Sequence, residues 1–568
     1  MSQNRLLIIG LDGAAFDYID PLIEQGKLPN IAHLIRSGAR SNLRSVLHPY
    51  TAQAWTTMCT GQNAGRHGIF DFWERDFSHY AFKIPIPQRR AAPAIWEYVN
   101  AQGFPSVIIN VPMTYPPDHI KGIFISGREV PGYQSPYTYP PEVKMHIQSV
   151  SGGSYVIVPN DWMWMKRGQP EHALDAILEE IDIRFKVATD LLKTTDWLFS
   201  MFVVAATDSV NHFFAKFCDP SNHDYHPNAA QRLRNAISQV YEDIDRRIGE
   251  LLACLPSDIN ILIVSDHGSG SESNVMVHLN SWLAQHHLLS FKAEVSRPSA
   301  QLRAWMISNL RTAAEFVPYQ SLTWLRSKFG GKMRSRLSQE SLFNGVDWLE
   351  TKAFSEERRG NIWLNVKDRD PLGIVNSGRE YDEIVQYIQQ ELPKLTHPDT
   401  GETVIRKVWR RQELFNGEFT TSFPDLIVEA TIPDVFRHSA ISGVPQPIEL
   451  ASKGMMRGLP TSGGHRHEGI LIAAGPQIRP GVSIPRSDLI DVTLNALCLL
   501  GLPVPIGIEG KLWNNALIDA VTLNQIRTNS EVVSQAIVES QRDLTVSTGT
   551  ESDAAIIEER LSALGYLD

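Results

Sequence analysis

The sequence predicts an α/β fold: a doubly wound, mostly parallel sheet with inserted cap segments. Two observations lead there. Short apolar runs of strand length alternate with segments of helical period, the pattern of a sheet covered on both faces. Several runs also end in residue types that bind metal, and in open α/β sheets ligands sit beyond the carboxyl ends of the strands. The 568 residues are ample for a large core and correspond to about four nominal units at ~150 residues each. Hydrophobic residues at 43% and charged residues at 20% are ordinary globular values, which excludes disordered, collagen-like and solenoid classes.

The strand-like runs are LLIIG (6–10), SVIIN (106–110), WLFSMFVVAA (197–206), INILIVS (259–265) and GILIAAG (469–475). Between them, IAHLIRSG (31–38) and VYEDIDRRIGELLACL (240–255) repeat apolar residues at helical spacing. The expected organisation is a core over 1–112, 196–285 and 401–520, an insertion over 113–195 and a cap insertion over 286–400. A linker and C-terminal helix fill 521–568, where Ile557, Leu561 and Leu564 share one helical face. That face docks on its own domain or, as the alternative, forms a homodimer contact.

Composition narrows the partners. A net charge of −10 argues against a nucleic-acid polymer as ligand. No stretch approaches the ~18 apolar residues of a membrane span, and the run from Leu6 to Ile9 is too short for a signal-peptide core. Four scattered cysteines (Cys59, Cys218, Cys254, Cys498) form neither a disulfide framework nor a thiolate metal site, so a cytoplasmic protein is expected.

Chemistry gathers at the strand ends. Asp12 lies just past the first run, MFVVAATDSVNH delivers Asp208 and His212, and INILIVSDHG delivers Asp266 and His267. TSGGHRHEGILIAAGP adds His465 and His467 before the last run. One such Asp alone would be a helix N-cap; two Asp-His pairs with a further Asp are not explained that way. Asp and neutral imidazole suit Zn²⁺ or Mn²⁺. Six ligands exceed one tetrahedral zinc but suffice for two ions ~3.5–4 Å apart, an arrangement that clamps both oxygens in phosphoryl transfer.

The segment HPYTAQAWTTMCTGQNAGRHGIFDF, from His48 to Phe72, is dense in hydroxyls. Thr51 falls at a helix start after Pro49, where unpaired backbone amides favour a phosphate. Taken alone, Thr51 reads as a cap before it reads as a nucleophile.

In order, LDGA, the block ending TGQNAGRHGI, ATDSVNH, SDHG and GGHRHEGILIAAGP resemble the alkaline phosphatase superfamily, specifically its type I phosphodiesterase/nucleotide pyrophosphatase branch. The resemblance spans residue 6 to about 476 and extends to the C-terminal LSALGYLD. It implies an alkaline-phosphatase-like fold and a nucleophilic Thr51, nine residues before the Thr60 of the TG turn. It also implies one ion held by Asp12, Thr51, Asp266 and His267, and another held by Asp208, His212 and His465. Zn²⁺ is the first expectation and Mn²⁺ the alternative. The implied substrate is a small-molecule phosphoester, hydrolysed through a phosphothreonine intermediate. Alternatives are a phosphomonoesterase or phosphoglycerate-mutase-like phosphotransferase of the same superfamily, or an inactive metal-retaining binding protein.

Departures from the branch pattern matter. The Asn usual three residues after the nucleophile is Ala54 here, which removes a phosphate-oxygen donor and puts nucleotide specificity in doubt; the Ala52 amide replaces it in part. His467 occupies a position where proline is usual and stays outside the ligand set. No C/S-x-P-x-R sequence surrounds Thr51, which argues against a sulfatase.

Other features have plainer readings. The basic, amphipathic 301–337 is a solvated helix pair of the cap before it is an anion or membrane surface. DWMWMK (161–166) and Tyr155 are packing before they are a pocket lining. Arg128 is a surface residue before it is a phosphate contact, and His67 is structural.

Overall fold

In the computed structural model the central strands follow from the apolar runs. The structure describes residues 4–518 apart from 84–89, 154, 156, 158, 293–342, 344, 357–358, 434, 437–446 and 451–460, together with 527–528. The basic 301–337 segment and the C-terminal helix of the sequence reading lie outside the described residues.

Leu6–Leu11 is fully buried and alternates between two hydrophobic clusters, with Leu7, Ile9 and Leu11 on one face and Leu6 and Ile8 on the other. Phe199–Val204 does the same, with Phe202 and Val204 opposite Met201 and Val203. Burial on both faces is why these runs are continuously apolar rather than alternating. At about 1.5–3 kcal/mol per large aliphatic side chain, this double burial is the main force holding the strands.

The sheet has ten strands. Its order is Val482–Ser483, Ala39–Arg44, Glu468–Ala474, Asn260–Val264, Leu6–Leu11, Phe199–Val204, Ser106–Val111, Gly122–Ser126 and Thr138–Tyr139, with Ser487–Asp488 on Ala39–Arg44. Leu6–Leu11 runs parallel to both neighbours, and Phe199–Val204 and Ser106–Val111 are also parallel. Glu468–Ala474 is antiparallel to both of its partners, so the sheet is mixed at that side. The strands Gly122–Ser126 and Thr138–Tyr139 extend the opposite side.

Helices cover both faces. Pro170–Thr194, Ala206–Cys218 and Ala236–Ala253 pack on the Leu7 face, while Thr51–Thr60, Ile95–Ala101 and Asp491–Leu499 pack on the Leu6 face. A second, four-stranded antiparallel sheet is built from Ala353–Phe354, Asn361–Leu364, Leu426–Ala430 and Ile405–Arg410. It has its own core, including Trp363, Ile362, Val408 and Val428, with Ile384, Val385 and Ile388 of the helix Arg379–Glu391. No helix among the described residues is long and apolar enough to cross a membrane.

Candidate active site

The carboxyl ends of the central strands meet the start of the helix Thr51–Thr60. Asp12 directly follows Leu6–Leu11, with its backbone N–H bonded to Val204 O at 3.0 Å. Gly13 is left-handed (φ 67°), and a Cβ there would lie 2.7 Å from Ser269 Oγ and 3.1 Å from Asp208 Oδ1. Both the conformation and the close approach require glycine. Asp266, two residues past Asn260–Val264, accepts the Gly13 N–H at 3.2 Å. His267 follows and turns Nδ1–H to Gly268 O at 3.0 Å. Asp12, Asp266 and His267 are all 0% exposed.

A second group adjoins the first. Asp208 and His212 lie four residues apart on Ala206–Cys218, with His212 Nε2 3.2 Å from Asp208 Oδ1. His465 comes from Gly463–Arg466, a strand paired with Gly268–Ser271 in a two-stranded ribbon. His212 Nδ1–H donates to Gly463 O at 2.8 Å, and His465 Nδ1–H donates to Pro49 O at 2.7 Å. The His267 and His465 rings stack with centroids 3.8 Å apart, which joins the two groups.

Both groups have the donor chemistry of a cation site. In each triad the potential ligand atoms lie within 4.8 Å of one another. A carbonyl on each Nδ1–H leaves the lone pair of all three imidazoles on Nε2, the orientation typical of metal-bound histidine. His267 Nε2 then faces Asp12 Oδ1 at 3.6 Å and Asp266 Oδ2 at 3.4 Å, acceptor against acceptor. Those three atoms are buried and have no hydrogen-bond partner, which costs free energy unless a cation sits among them. Electrostatics agree. Burial, and then the neighbouring Asp208, push the Asp12 carboxyl up to about 7. Burial, then Asp12 and Asp208, raise Asp266 as well. Asp208 moves the other way: burial opposes ionisation, but His212 and His465 hold it below the usual range. Burial also drives His267 down to about 4, so its ring is neutral and cannot neutralise the carboxylates. The residues therefore fit two divalent cations.

Thr51 is the first residue of its helix and 3% exposed. Two contacts locate this helix start against the groups. Pro49 O, two residues before Thr51, accepts from His465, and Trp55, one turn after it, donates Nε1–H to Asp12 Oδ2 at 3.2 Å. The first intrahelical bond, Ala54 N–H to Tyr50 O, leaves the Ala52 and Gln53 amides ahead of it in the unpaired first turn. Such amides suit an anionic ligand.

The structure thus brings together Asp12, Asp208, His212, Asp266, His267 and His465 and opens the helix beside them with Thr51. His467 is outside both triads; its carbonyl accepts the Ser45 N–H at 2.8 Å. His67 is buried against Thr57 Oγ1 at 3.0 Å, as a structural residue would be. Trp162, Trp164 and Met165 pack on the main core, and Tyr155 is fully buried there. Arg128 departs from the surface reading. It is half-buried in the loop after Gly122–Ser126, and its charge lowers both Asp12 and the buried Asp161. The Asp12 partner Trp55 was also not legible as a site residue: an indole in a helical run signals packing, and its bond to residue 12 is purely tertiary.

No curated protein matches the chain. Similar solved structures include human ectonucleotide pyrophosphatase/phosphodiesterase 5, at 14% identity over 91% of this chain and 100% of that one, with a TM-score of 0.45. Phosphonoacetate hydrolase from Sinorhizobium meliloti, in complex with phosphonoacetate, is 12% identical over 88% of this chain and 96% of that one, with a TM-score of 0.48. Residues 6–438 match the family model for type I phosphodiesterase / nucleotide pyrophosphatase, and the chain belongs to that family of phosphoester hydrolases.

Proposed function

We propose that the protein is a phosphodiesterase that uses two divalent ions and Thr51 as nucleophile. The observation that carries this reading is the pair of acceptor triads, joined by the His267–His465 stack at the start of the Thr51 helix. Asp12, Asp266 and His267, with Thr51, would hold one ion, and Asp208, His212 and His465 the other. Three imidazole nitrogens in the set favour Zn²⁺, with Mn²⁺ as the alternative. Such ions supply Lewis-acid stabilisation of phosphoryl oxygens and lower the pKa of a nearby hydroxyl.

Thr51 Oγ attacks phosphorus in line, its bond to phosphorus forms, and the bond to the leaving alkoxide breaks. Water then cleaves the phosphorus–Oγ bond, which releases the phosphomonoester and restores the hydroxyl. The Ala52 and Gln53 amides receive a phosphoryl oxygen, and Arg128 adds positive potential from the Asp12 side. Trp55 and Gly13 fix the carboxylates from behind. The substrate is a small phosphodiester; with Ala54 in place of the usual Asn, a nucleotide is not singled out. The four cysteines, free and far apart in sequence, support a cytoplasmic location.

The test compares bis(p-nitrophenyl) phosphate with p-nitrophenyl phosphate, with zinc or manganese added. Faster diester turnover is expected. Faster monoester turnover would point to a phosphomonoesterase, and no turnover of either to a metal-binding protein without this activity.

A further inference from the structure

The four-stranded unit also reaches the helix start. Arg359 lies between its strands Ala353–Phe354 and Asn361–Leu364 and is 4% exposed. Its Nη1 pairs with Asp71 Oδ1 at 2.5 Å, a carboxylate from the segment after the helix Ala64–His67. Its guanidinium carbon stands 3.8 Å from the centre of the Tyr50 ring, well inside cation–π range. Gly360 makes the turn (φ 66°), and a Cβ there would lie 2.6 Å from the Phe436 ring. Phe436 in turn meets the His48 ring at 6.4 Å.

Tyr50 is not a remote residue. It directly precedes Thr51 and follows Pro49, whose carbonyl orients His465. Its ring lies 6.1 Å from the His465 ring and stacks with His48 at 6.0 Å. One short segment, His48 to Thr51, therefore sets both a candidate ligand and the candidate nucleophile.

We propose that Arg359, clamped by Asp71, is a positioning residue through which the four-stranded unit fixes the His48–Thr51 segment, and with it the His465 ring and the Thr51 hydroxyl. The proposal rests on the two-ion, Thr51 reading above. Guanidinium geometry is essential to it: a planar group can stack on a ring while bonding a carboxylate in its own plane. The second unit thereby completes the site rather than merely covering it.

The experiment uses the full chain and the variants Arg359→Ala, Arg359→Lys and Asp71→Asn. Zinc affinity is measured by competition with a chromogenic chelator, which needs no turnover. kcat and KM are measured with bis(p-nitrophenyl) phosphate. Arg359→Ala is expected to weaken one of the two zinc ions by about 10-fold or more, the usual effect of losing a group that orients a ligand. The other ion should stay within about threefold. kcat should fall about 30- to 100-fold at nearly constant KM, as displacement of a reacting group by about an ångström would cause. Asp71→Asn should move both quantities in the same direction by less, and Arg359→Lys should recover part of the loss. If Arg359→Ala fails to fold, Asp71→Asn and Arg359→Lys decide. Unchanged zinc affinity with unchanged kcat overturns the proposal, as does a loss confined to KM. Wild-type protein that binds two ions yet hydrolyses no diester would overturn the Thr51 reading instead, and the chelator titration would still judge Arg359.

Discussion

The two candidate ligand groups contain the same atom types but are assembled differently. Asp12, Asp266 and His267 hang from the ends of adjacent parallel strands at the centre of the sheet, and all three are fully buried. Asp208, His212 and His465 come from one helical turn and a two-stranded ribbon, and His212 and His465 are each 8% exposed. Backbone ladders and the Trp55 indole fix the first group. The second has two imidazoles, each oriented by a single carbonyl, Gly463 O and Pro49 O, as His267 of the first is by Gly268 O. Under the proposed two-ion reading, a centre built this way should hold one ion tightly, the one beside Thr51, and exchange the other.

Five substitutions would break or sharpen that contrast. The largest effect is expected from Thr51→Ala: diester turnover should fall by about 10⁴-fold or more while most metal content remains, because the nucleophile is lost but the six acidic and imidazole side chains stay. Turnover assay and metal analysis on the same sample check this. Next, Asp266→Asn should cost about 10³-fold in turnover and remove an ion that excess zinc does not restore. His212→Ala should cost a similar factor, yet recover partly when zinc is raised, since its group binds the more exchangeable ion. Equal recovery in both variants would erase the distinction.

Trp55→Phe keeps the ring but deletes the donor to Asp12. It should weaken the tighter ion by about 10-fold and leave the other unaltered, as chelator competition would reveal. The last variant, Gly13→Ala, is read through stability. A φ of 67° together with 2.7 Å to Ser269 Oγ should destabilise the fold by about 1–3 kcal/mol, measured by denaturant unfolding.

The sequence disclosed whichever parts of this centre are local. Strands buried on both faces appear as unbroken apolar runs, so Leu6–Leu11, Phe199–Val204 and Asn260–Val264 were readable, as were the acidic residues and histidines at their ends. The spacing of Asp208 and His212 carries its own geometry on a helix. Ala39–Arg44 was not readable: it buries Ala39, Ser41 and Leu43 while Asn42 and Arg44 are exposed, and two arginines mask so small an alternation. The antiparallel direction of Glu468–Ala474 was equally hidden, because its buried run from Gly469 looks the same in either direction. Arg128, Arg359 and Trp55 act through partners tens to hundreds of residues away. No local pattern encodes such contacts, and an isolated arginine or tryptophan is more often surface or packing.

The most direct test is anomalous diffraction from crystals soaked in zinc. Two peaks are predicted, about 3.5–4 Å apart, one inside each triad and with the Thr51 hydroxyl next to the Asp12 group. A single peak, or zinc bound away from these six side chains, would contradict the account.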